Sequence, residues 1–433
     1  MAVYLAKGTR DVLPEQMYRR TAVIDRLRAV FARFGFSPLD TPAFERIETL
    51  TGKYGDEGSQ LIFKILKRGQ GGERGESDLA LRYDLTVPLA RVIAMNNQIR
   101  MPFKRYQVAP VWRADRPAKG RFREFVQCDV DIVGAAGVLA DAECLAVLCA
   151  GFDALGLAGR YTVRLNDRRI LRAMAASVGA ADESALLVAI DKVDKIGRDG
   201  VSDELVSKGF GDTQIARLWE LLEVGADNQA TLTALGEALP DAVDGVDALR
   251  EMLLAAAAMG ADLDRILVDP SLARGLDYYT GPVFEVASND VQIGSIAGGG
   301  RYDELIGMFS GRDIPAVGCA FGLDRIVLVL EELGLMPEST ETTEVFVTVY
   351  DAGSSAYAAD VARVLRESGL RTELYLGDQK LNKQFKLANA QKYPWIVITG
   401  PEERERGLVA LKDMASGEQR TCTPVEVAAI VRG

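Results

Sequence analysis

At 433 residues the chain exceeds one ordinary hydrophobic core, so two or three domains are expected, and its 48% hydrophobic and 26% charged residues describe a globular protein. A net charge of −11 excludes bulk electrostatic attraction to nucleic acid. The absence of histidine excludes a histidine general base, a histidine-containing triad and the usual zinc and non-haem iron sites.

No apolar run approaches a membrane span, and the N-terminus, MAVYLAKGTRD, has no signal-peptide core. The five cysteines, Cys128, Cys144, Cys149, Cys319 and Cys422, form no CxxC pair and sit mostly in apolar runs. They read as buried thiols of a reducing cytoplasm rather than disulfides or ligands of a structural zinc. Charge is uneven: residues 343–433 carry 12 Lys+Arg and 12 Asp+Glu, so the first 342 hold the whole excess.

Residues 16–34 space Met17, Val23, Ile24, Leu27, Val30 and Phe31 as an amphipathic helix, which Gly35 ends. Phe36 to Phe44 contains Pro38 and Pro42, which suits an edge strand or an arm where a partner subunit docks. Leu61–Lys67 and Leu79–Tyr83 read as strands joined by a glycine-rich connection. Asp84 and Thr86 then open a helix over Val87–Met95. Either is an ordinary N-cap, and together they also present a carboxylate and a hydroxyl to an amine.

Tyr106–Gly134 reads as two strands around a basic loop. Alternation places Arg105, Gln107, Ala109, Val111 and Arg113 on one face of the first arm. In the second arm Arg123, Phe125, Gln127, Asp129 and Asp131 share a face, with Val126, Cys128, Val130 and Ile132 behind. Solvent is the bland reason for a polar face. The loop favours a ligand instead, because Arg113, Arg116, Lys119, Arg121 and Arg123 crowd within eleven residues and repel unless an anion such as phosphate joins them.

Ala140–Leu155 is a predicted helix and Tyr161–Leu165 a strand. Residues 175–260 read as an inserted helical module without a chemically suggestive cluster. Strands are predicted at Leu276–Ala287 and Val291–Ile296, followed by Gly298-Gly299-Gly300-Arg301-Tyr302-Asp303, whose glycines let a backbone approach a ligand closely. Ala316–Phe321 reads as a strand, and Gly322-Leu323-Asp324-Arg325 opens a helix over Ile326–Leu333. An arginine in a first helical turn opposes the helix dipole unless an anion compensates, which suits a triphosphate. Residues 336–343 read as a linker, and 344–433 as a small α/β domain whose Lys380, Lys383 and Lys386 form either a solvated face or an RNA contact.

Taken in order, these motifs resemble the histidyl-tRNA synthetases, class II aminoacyl-tRNA synthetases. The resemblance rests on Lys7-Gly8-Thr9-Arg10-Asp11, Leu81-Arg82-Tyr83-Asp84-Leu85-Thr86, Arg121-Phe122-Arg123-Glu124-Phe125, Arg274-Gly275-Leu276-Asp277-Tyr278-Tyr279-Thr280, Gly299-Gly300-Arg301-Tyr302-Asp303 and Gly322-Leu323-Asp324-Arg325. It implies an α+β fold: a class II antiparallel sheet flanked by helices within residues 1–335, a helical insertion, and a C-terminal anticodon-binding domain.

The resemblance further implies condensation of L-histidine with ATP, with Mg2+ on the phosphates, and transfer of the adenylate's histidyl group to tRNA(His) by a homodimer. By resemblance Arg113 and Arg325 hold ATP phosphates, Arg274 stabilises the α-phosphate, and Glu124 contacts the adenine or a metal. Asp84, Thr86 and Gln127 hold the substrate's amino group. Asp131 and Tyr279 bracket its imidazole, and Tyr278 and Tyr302 complete the histidine site, though Tyr278 and Arg301 are equally open to plain packing or pairing. Arg116, Lys119 and Arg121 face the tRNA acceptor end. Many bacterial members carry glutamine where Ala118 stands and use it to read an extra 5′ guanosine, so relaxed dependence on that base is expected. The rival is the histidine-sensing regulatory subunit of ATP phosphoribosyltransferase, which usually lacks the ATP arginines and the C-terminal domain.

Overall fold

The computed structural model describes residues 3–53, 58, 60–273, 278–337 and 342–432. Two compact units divide the chain, Met1–Pro337 and Glu338–Gly433. The strands of the first unit are β1 (Ser37–Pro38), β2 (Phe44–Arg46), β3 (Lys64–Leu66), β4 (Ser77–Leu81), β5 (Phe103–Trp112) and β6 (Glu124–Val133). They continue with β7 (Tyr161–Asp167), β8 (Ile266–Val268), β9 (Pro282–Ser288), β10 (Ala297–Arg301) and β11 (Ala316–Gly322).

Eight of these strands form one sheet in the order β1-β5-β6-β11-β10-β9-β7-β8, antiparallel except where β1 joins β5 and β8 joins β7. Pro38 lies on an edge strand, where its missing N–H leaves no gap in the ladder. Helices Pro14–Arg33 and Val138–Ala154 cover one face. Leu27 and Phe31 from the first and Leu148 and Phe152 from the second join Cys128, Val130 and Phe321 of the strands in one core. The helix approaches closely because of Gly151, where a Cβ would lie 2.6 Å from the Phe321 ring.

The β5–β6 hairpin has the expected alternation, but its polar face is not solvated. Arg105, Gln107, Gln127, Asp129 and Asp131 are all buried, and register sets Arg105 opposite Asp131 and Gln107 opposite Asp129. Burying so many polar groups is costly unless they are paired or await a ligand.

Two predicted strands need correction. Residues 289–296 are irregular, so no strand spans Val291–Ile296, and the glycine triplet is itself strand β10. Only glycine fits there: a Cβ at Gly299 would lie 2.1 Å from the Gly318 carbonyl oxygen of β11, and one at Gly300 2.7 Å from that of Pro282. The strand predicted from Leu276 begins at Pro282, and its predicted first two residues lie outside the described residues.

Six helices, Arg168–Ser177, Glu183–Ile190, Val193–Ser207, Asp212–Leu221, Asn228–Ala238 and Val243–Ala258, run between β7 and β8. Near the ligand face the smaller sheet β2-β4-β3 and the helix Thr86–Met95 share a second core with Tyr83, Tyr278 and Tyr302.

In the second unit β12 (Val345–Val347), β13 (Thr372–Leu374), β14 (Trp395–Ile398), β15 (Val409–Asp413) and β16 (Gln419–Cys422) form a mixed sheet, β13-β12-β14-β15-β16. Val345, Val347, Val397 and Leu411 of this sheet pack with Val361 and Leu365 of the helix Ser355–Glu367 and Val427 of the helix Pro424–Arg432.

Candidate active site

A cavity of about 350 Å³ opens on the sheet face opposite the two long helices, and β6, β10 and β11 contribute to its lining. Glycine makes the space. A Cβ at Gly318 would lie 2.1 Å from Asp131 Oδ1, so a side chain there and the Asp131 carboxyl exclude each other. Asp84, Thr86, Arg113, Arg121, Gln127, Asp131, Tyr278, Tyr279, Tyr302 and Arg325, separated by up to 241 positions of sequence, line this one cavity.

The wall from the start of helix Thr86–Met95 is fixed by Asp84, whose Oδ1 accepts the Val87 N–H at 3.0 Å and whose Oδ2 accepts the Tyr278 hydroxyl at 3.4 Å. Asp84 therefore bonds the start of the helix and lines the cavity as well. Tyr278 stands edge-on to Tyr279 and Tyr302, with ring centroids 5.1 and 5.9 Å away. Asp131 accepts the Tyr302 hydroxyl in a short hydrogen bond, and its Oδ2 lies 2.7 Å from Arg105 Nη2. Arg105 is wholly buried and also donates to the Leu85 carbonyl at 3.1 Å.

Burial raises the Asp131 carboxyl above the ordinary range, against the pull of Arg105 and the Tyr302 hydrogen bond. Asp129, two residues back on the same face, is raised well above it by burial, with Arg105 opposing. Burial and the Asp84, Asp131 and Asp129 charges push the Tyr279 phenol up likewise. Three carboxyls thus line this part of the cavity around the buried Arg105, which suits a ligand carrying positive charge.

Toward the basic loop the sign reverses. Arg113 donates from Nε to the Tyr83 carbonyl at 3.1 Å, and its guanidinium lies 4.3 Å from the Tyr83 ring centroid and 5.2 Å from that of Phe125. Arg325 donates from Nε to the Gly120 carbonyl at 3.2 Å and from Nη1 to that of Ser295 at 2.5 Å. Its neighbour Asp324 binds Arg10 and Arg20, at 2.6 Å for the latter, and the Val126 N–H at 3.0 Å, tying the N-terminal segment to this helix start. The loop closes in a tight turn, with Ala118 and Arg121 exchanging backbone hydrogen bonds around Gly120 at φ +67°.

The loop cations are not all left to a ligand. Arg121 pairs with Asp115 at 2.6 Å and Lys119 with Glu332 at 2.5 Å. Lys119 and Arg116 are exposed and lie outside the cavity, whereas Arg121 reaches it.

Glu124 is exposed at the start of β6 and is not among the residues lining the cavity, because alternation turns Phe125 and Gln127 inward and Glu124 away. A carboxylate that does line this side of the cavity is Asp115, two residues after Arg113 in the turn, where no regular period reveals its direction; Asp324 lines it too. Sequence reasoning also leaves Asp129 and Glu285 without a role, although Asp129 is visible on the correct face. Arg301 pairs with Asp141 at 2.9 Å and with Asp303 at 3.0 Å, which is its pairing role. Arg274 lies outside the described residues. Among those described, no group of three or more cysteine or acidic side chains could hold a metal, and no helix is long and apolar enough to cross a membrane.

Comparison with known proteins shows the family. The family model described as "Histidyl-tRNA synthetase" matches residues 8–326, and that described as "Anticodon binding domain" matches 344–433. The histidine–tRNA ligase of Cytophaga hutchinsonii is 43% identical over 444 residues, covering 98% of each chain. The crystal structure of histidyl-tRNA synthetase from Nostoc sp. PCC 7120 superposes with a TM-score of 0.84 at 30% identity, covering 100% of this chain and 99% of that one. An ATP phosphoribosyltransferase regulatory subunit/histidyl-tRNA synthetase from Bacillus halodurans C shares the fold, with a TM-score of 0.73 at 23% identity over 90% of this chain and 96% of its own.

Proposed function

Since the chain belongs to the histidyl-tRNA synthetase family, we propose how its own residues divide that reaction. The protein is a histidine–tRNA ligase: it activates L-histidine with ATP to histidyl-adenylate and transfers the histidyl group to the 3′ end of tRNA(His). The observation that carries the division of labour is one cavity with a carboxyl-rich wall and an arginine-bearing wall.

The substrate's amino group goes to Asp84, Thr86 and Gln127. Its imidazole, with one donor and one acceptor nitrogen, lies between Asp131 and Tyr279, with Tyr278 and Tyr302 holding Asp84 and Asp131 in place. Arg113 and Arg325 receive ATP phosphates. Both guanidiniums are oriented by backbone carbonyls, which fixes their direction before ATP arrives. The carboxylate of histidine attacks the α-phosphorus and pyrophosphate leaves, a step that needs alignment and charge neutralisation rather than a general base. Arg274 is assigned to the α-phosphate as negative charge builds on it.

Magnesium supplies further neutralisation on the phosphates. The cavity carboxylates of Asp115 and Glu285 offer the oxygen ligands this hard cation takes. Asp115, rather than Glu124, stands on the ATP side. Arg116, Lys119 and Arg121 meet the tRNA acceptor end.

The domain reading is a catalytic core over residues 1–335 with a helical module at about 175–260, a linker at 336–343, and an anticodon-binding domain over 344–433. The working form is a homodimer of the cytoplasm, a compartment consistent with five buried free thiols. Incubating the protein with histidine and ATP without tRNA tests the division directly. Mass spectrometry is expected to find histidyl-adenylate, and an Arg325→Ala variant to raise the KM for ATP without moving that for histidine. Equal effects on both would overturn it.

A further inference from the structure

Gln127 and Asp129 stand two residues apart on the cavity face of β6, and both line the cavity. Both are buried, with 9% and 2% of their surface exposed. Gln127 Oε1 and Asp129 Oδ1 nevertheless have no hydrogen-bond partner among the described residues. The other two carboxyls of this wall are engaged: Asp84 holds the Val87 N–H and the Tyr278 hydroxyl, and Asp131 accepts the Tyr302 hydroxyl at Oδ1 while its Oδ2, without a hydrogen bond of its own, forms an ion pair with Arg105. A buried carboxyl oxygen without a partner costs stability, so its persistence at a cavity surface points to a donor brought from outside.

Resting on the reading of this cavity as the histidine site, we propose that Asp129 is a further substrate-binding residue that accepts the α-ammonium of histidine together with Gln127. An imidazole N–H offers a single donor, whereas an ammonium offers three, enough for Gln127 Oε1, Asp129 Oδ1 and one of Asp84 and Thr86. Side chains at i and i+2 of a strand project from one face about 7 Å apart at the backbone, a gap their reach narrows to one a shared nitrogen can bridge. The ammonium also brings the positive charge that Asp84, Asp129 and Asp131 lack beyond Arg105. Burial holding the Asp129 carboxyl far above its usual range marks this shortage. Specificity follows: the site discriminates for the amino group of the substrate, not only for its ring.

The test measures histidine-dependent exchange of pyrophosphate into ATP for the wild type and Asp129→Asn. Inhibition by histidinol, which keeps the amine and ring, is compared with that by imidazolepropionate, which lacks the amine. A charge-assisted hydrogen bond is worth enough to raise the KM for histidine about 10- to 100-fold. The inhibition constant of histidinol should rise by the same factor, while that of imidazolepropionate and the KM for ATP stay unchanged. A KM for histidine within twofold of wild type overturns the assignment. So does an equal loss for imidazolepropionate, which would place Asp129 on the ring. Should the asparagine variant fail to fold, Asp129→Ser is measured in the same way. If the wild type itself shows no exchange, the parent reading of the cavity fails first and this one with it.

Discussion

Replacing Arg105 by leucine removes a buried cation that pairs with a carboxyl of the histidine wall. Arg105 is wholly buried and its Nη2 lies 2.7 Å from Asp131 Oδ2. Breaking a buried pair from one side usually costs about 3–5 kcal/mol, because the remaining charge stays out of water. Protonation of Asp131 sets a ceiling on that cost. Its ordinary pKa of 3.8 lies about three units below neutral pH, and at 1.36 kcal/mol per unit the proton costs about 4 kcal/mol. The expected loss for Arg105→Leu is therefore about 3–4 kcal/mol at pH 7. It should shrink as pH falls toward 4, where the carboxyl takes its proton without that cost.

The assay is urea unfolding of Arg105→Leu, Asp131→Asn and the double variant. The amide oxygen introduced by Asp131→Asn would still accept the Tyr302 hydroxyl, so the double variant should recover about 2 kcal/mol relative to the sum of the singles. Additivity within about 0.5 kcal/mol would refute the claim that Arg105 serves to neutralise Asp131.

Three further outcomes are expected. Gly318→Ala drives a methyl to 2.1 Å from Asp131 Oδ1; it should cost about 1–3 kcal/mol in thermal unfolding and raise the KM for histidine while sparing that for ATP. Asp141 is pushed up to about 6 by burial, against the Arg301 hydrogen bond. A carboxyl whose folded value is raised loses stability as pH rises. The stability of the wild type relative to Asp141→Asn should therefore fall by up to about 3 kcal/mol between pH 4 and 6, read by denaturant unfolding at stepped pH. Ala118 is exposed at the turn of the basic loop and its methyl cannot hydrogen-bond a base edge. Charging of tRNA(His) without its extra 5′ guanosine should stay within about tenfold of normal, and a loss of several hundredfold would contradict this.

The β5–β6 hairpin is the most legible part of the site, because period-two alternation is a local property of the chain. Alternation puts Gln127, Asp129 and Asp131 on one face and Val130 on the other, as the structure has them. What lies opposite a face is not local. Nothing in the spacing of residues 297–301 says that they pass between β9 and β11, so the glycines read as a loop after a strand rather than as a strand bared for packing.

Glu124 stands in for Asp115 in the sequence for a related reason. Side-chain direction follows a period within a strand, but in a turn it depends on the actual backbone path. The basic loop is legible as a cation cluster, yet Asp115 and Glu332, which neutralise Arg121 and Lys119, come from a turn position and from a helix 213 residues beyond Lys119.

Amino-acid-dependent exchange of pyrophosphate into ATP, run with each of the twenty amino acids in turn, tests the central claim most directly. Exchange with histidine alone is the predicted result, since the carboxyl wall and the arginines then act on one substrate pair. Histidine binding without exchange would mean that the cavity senses the amino acid and does not activate it.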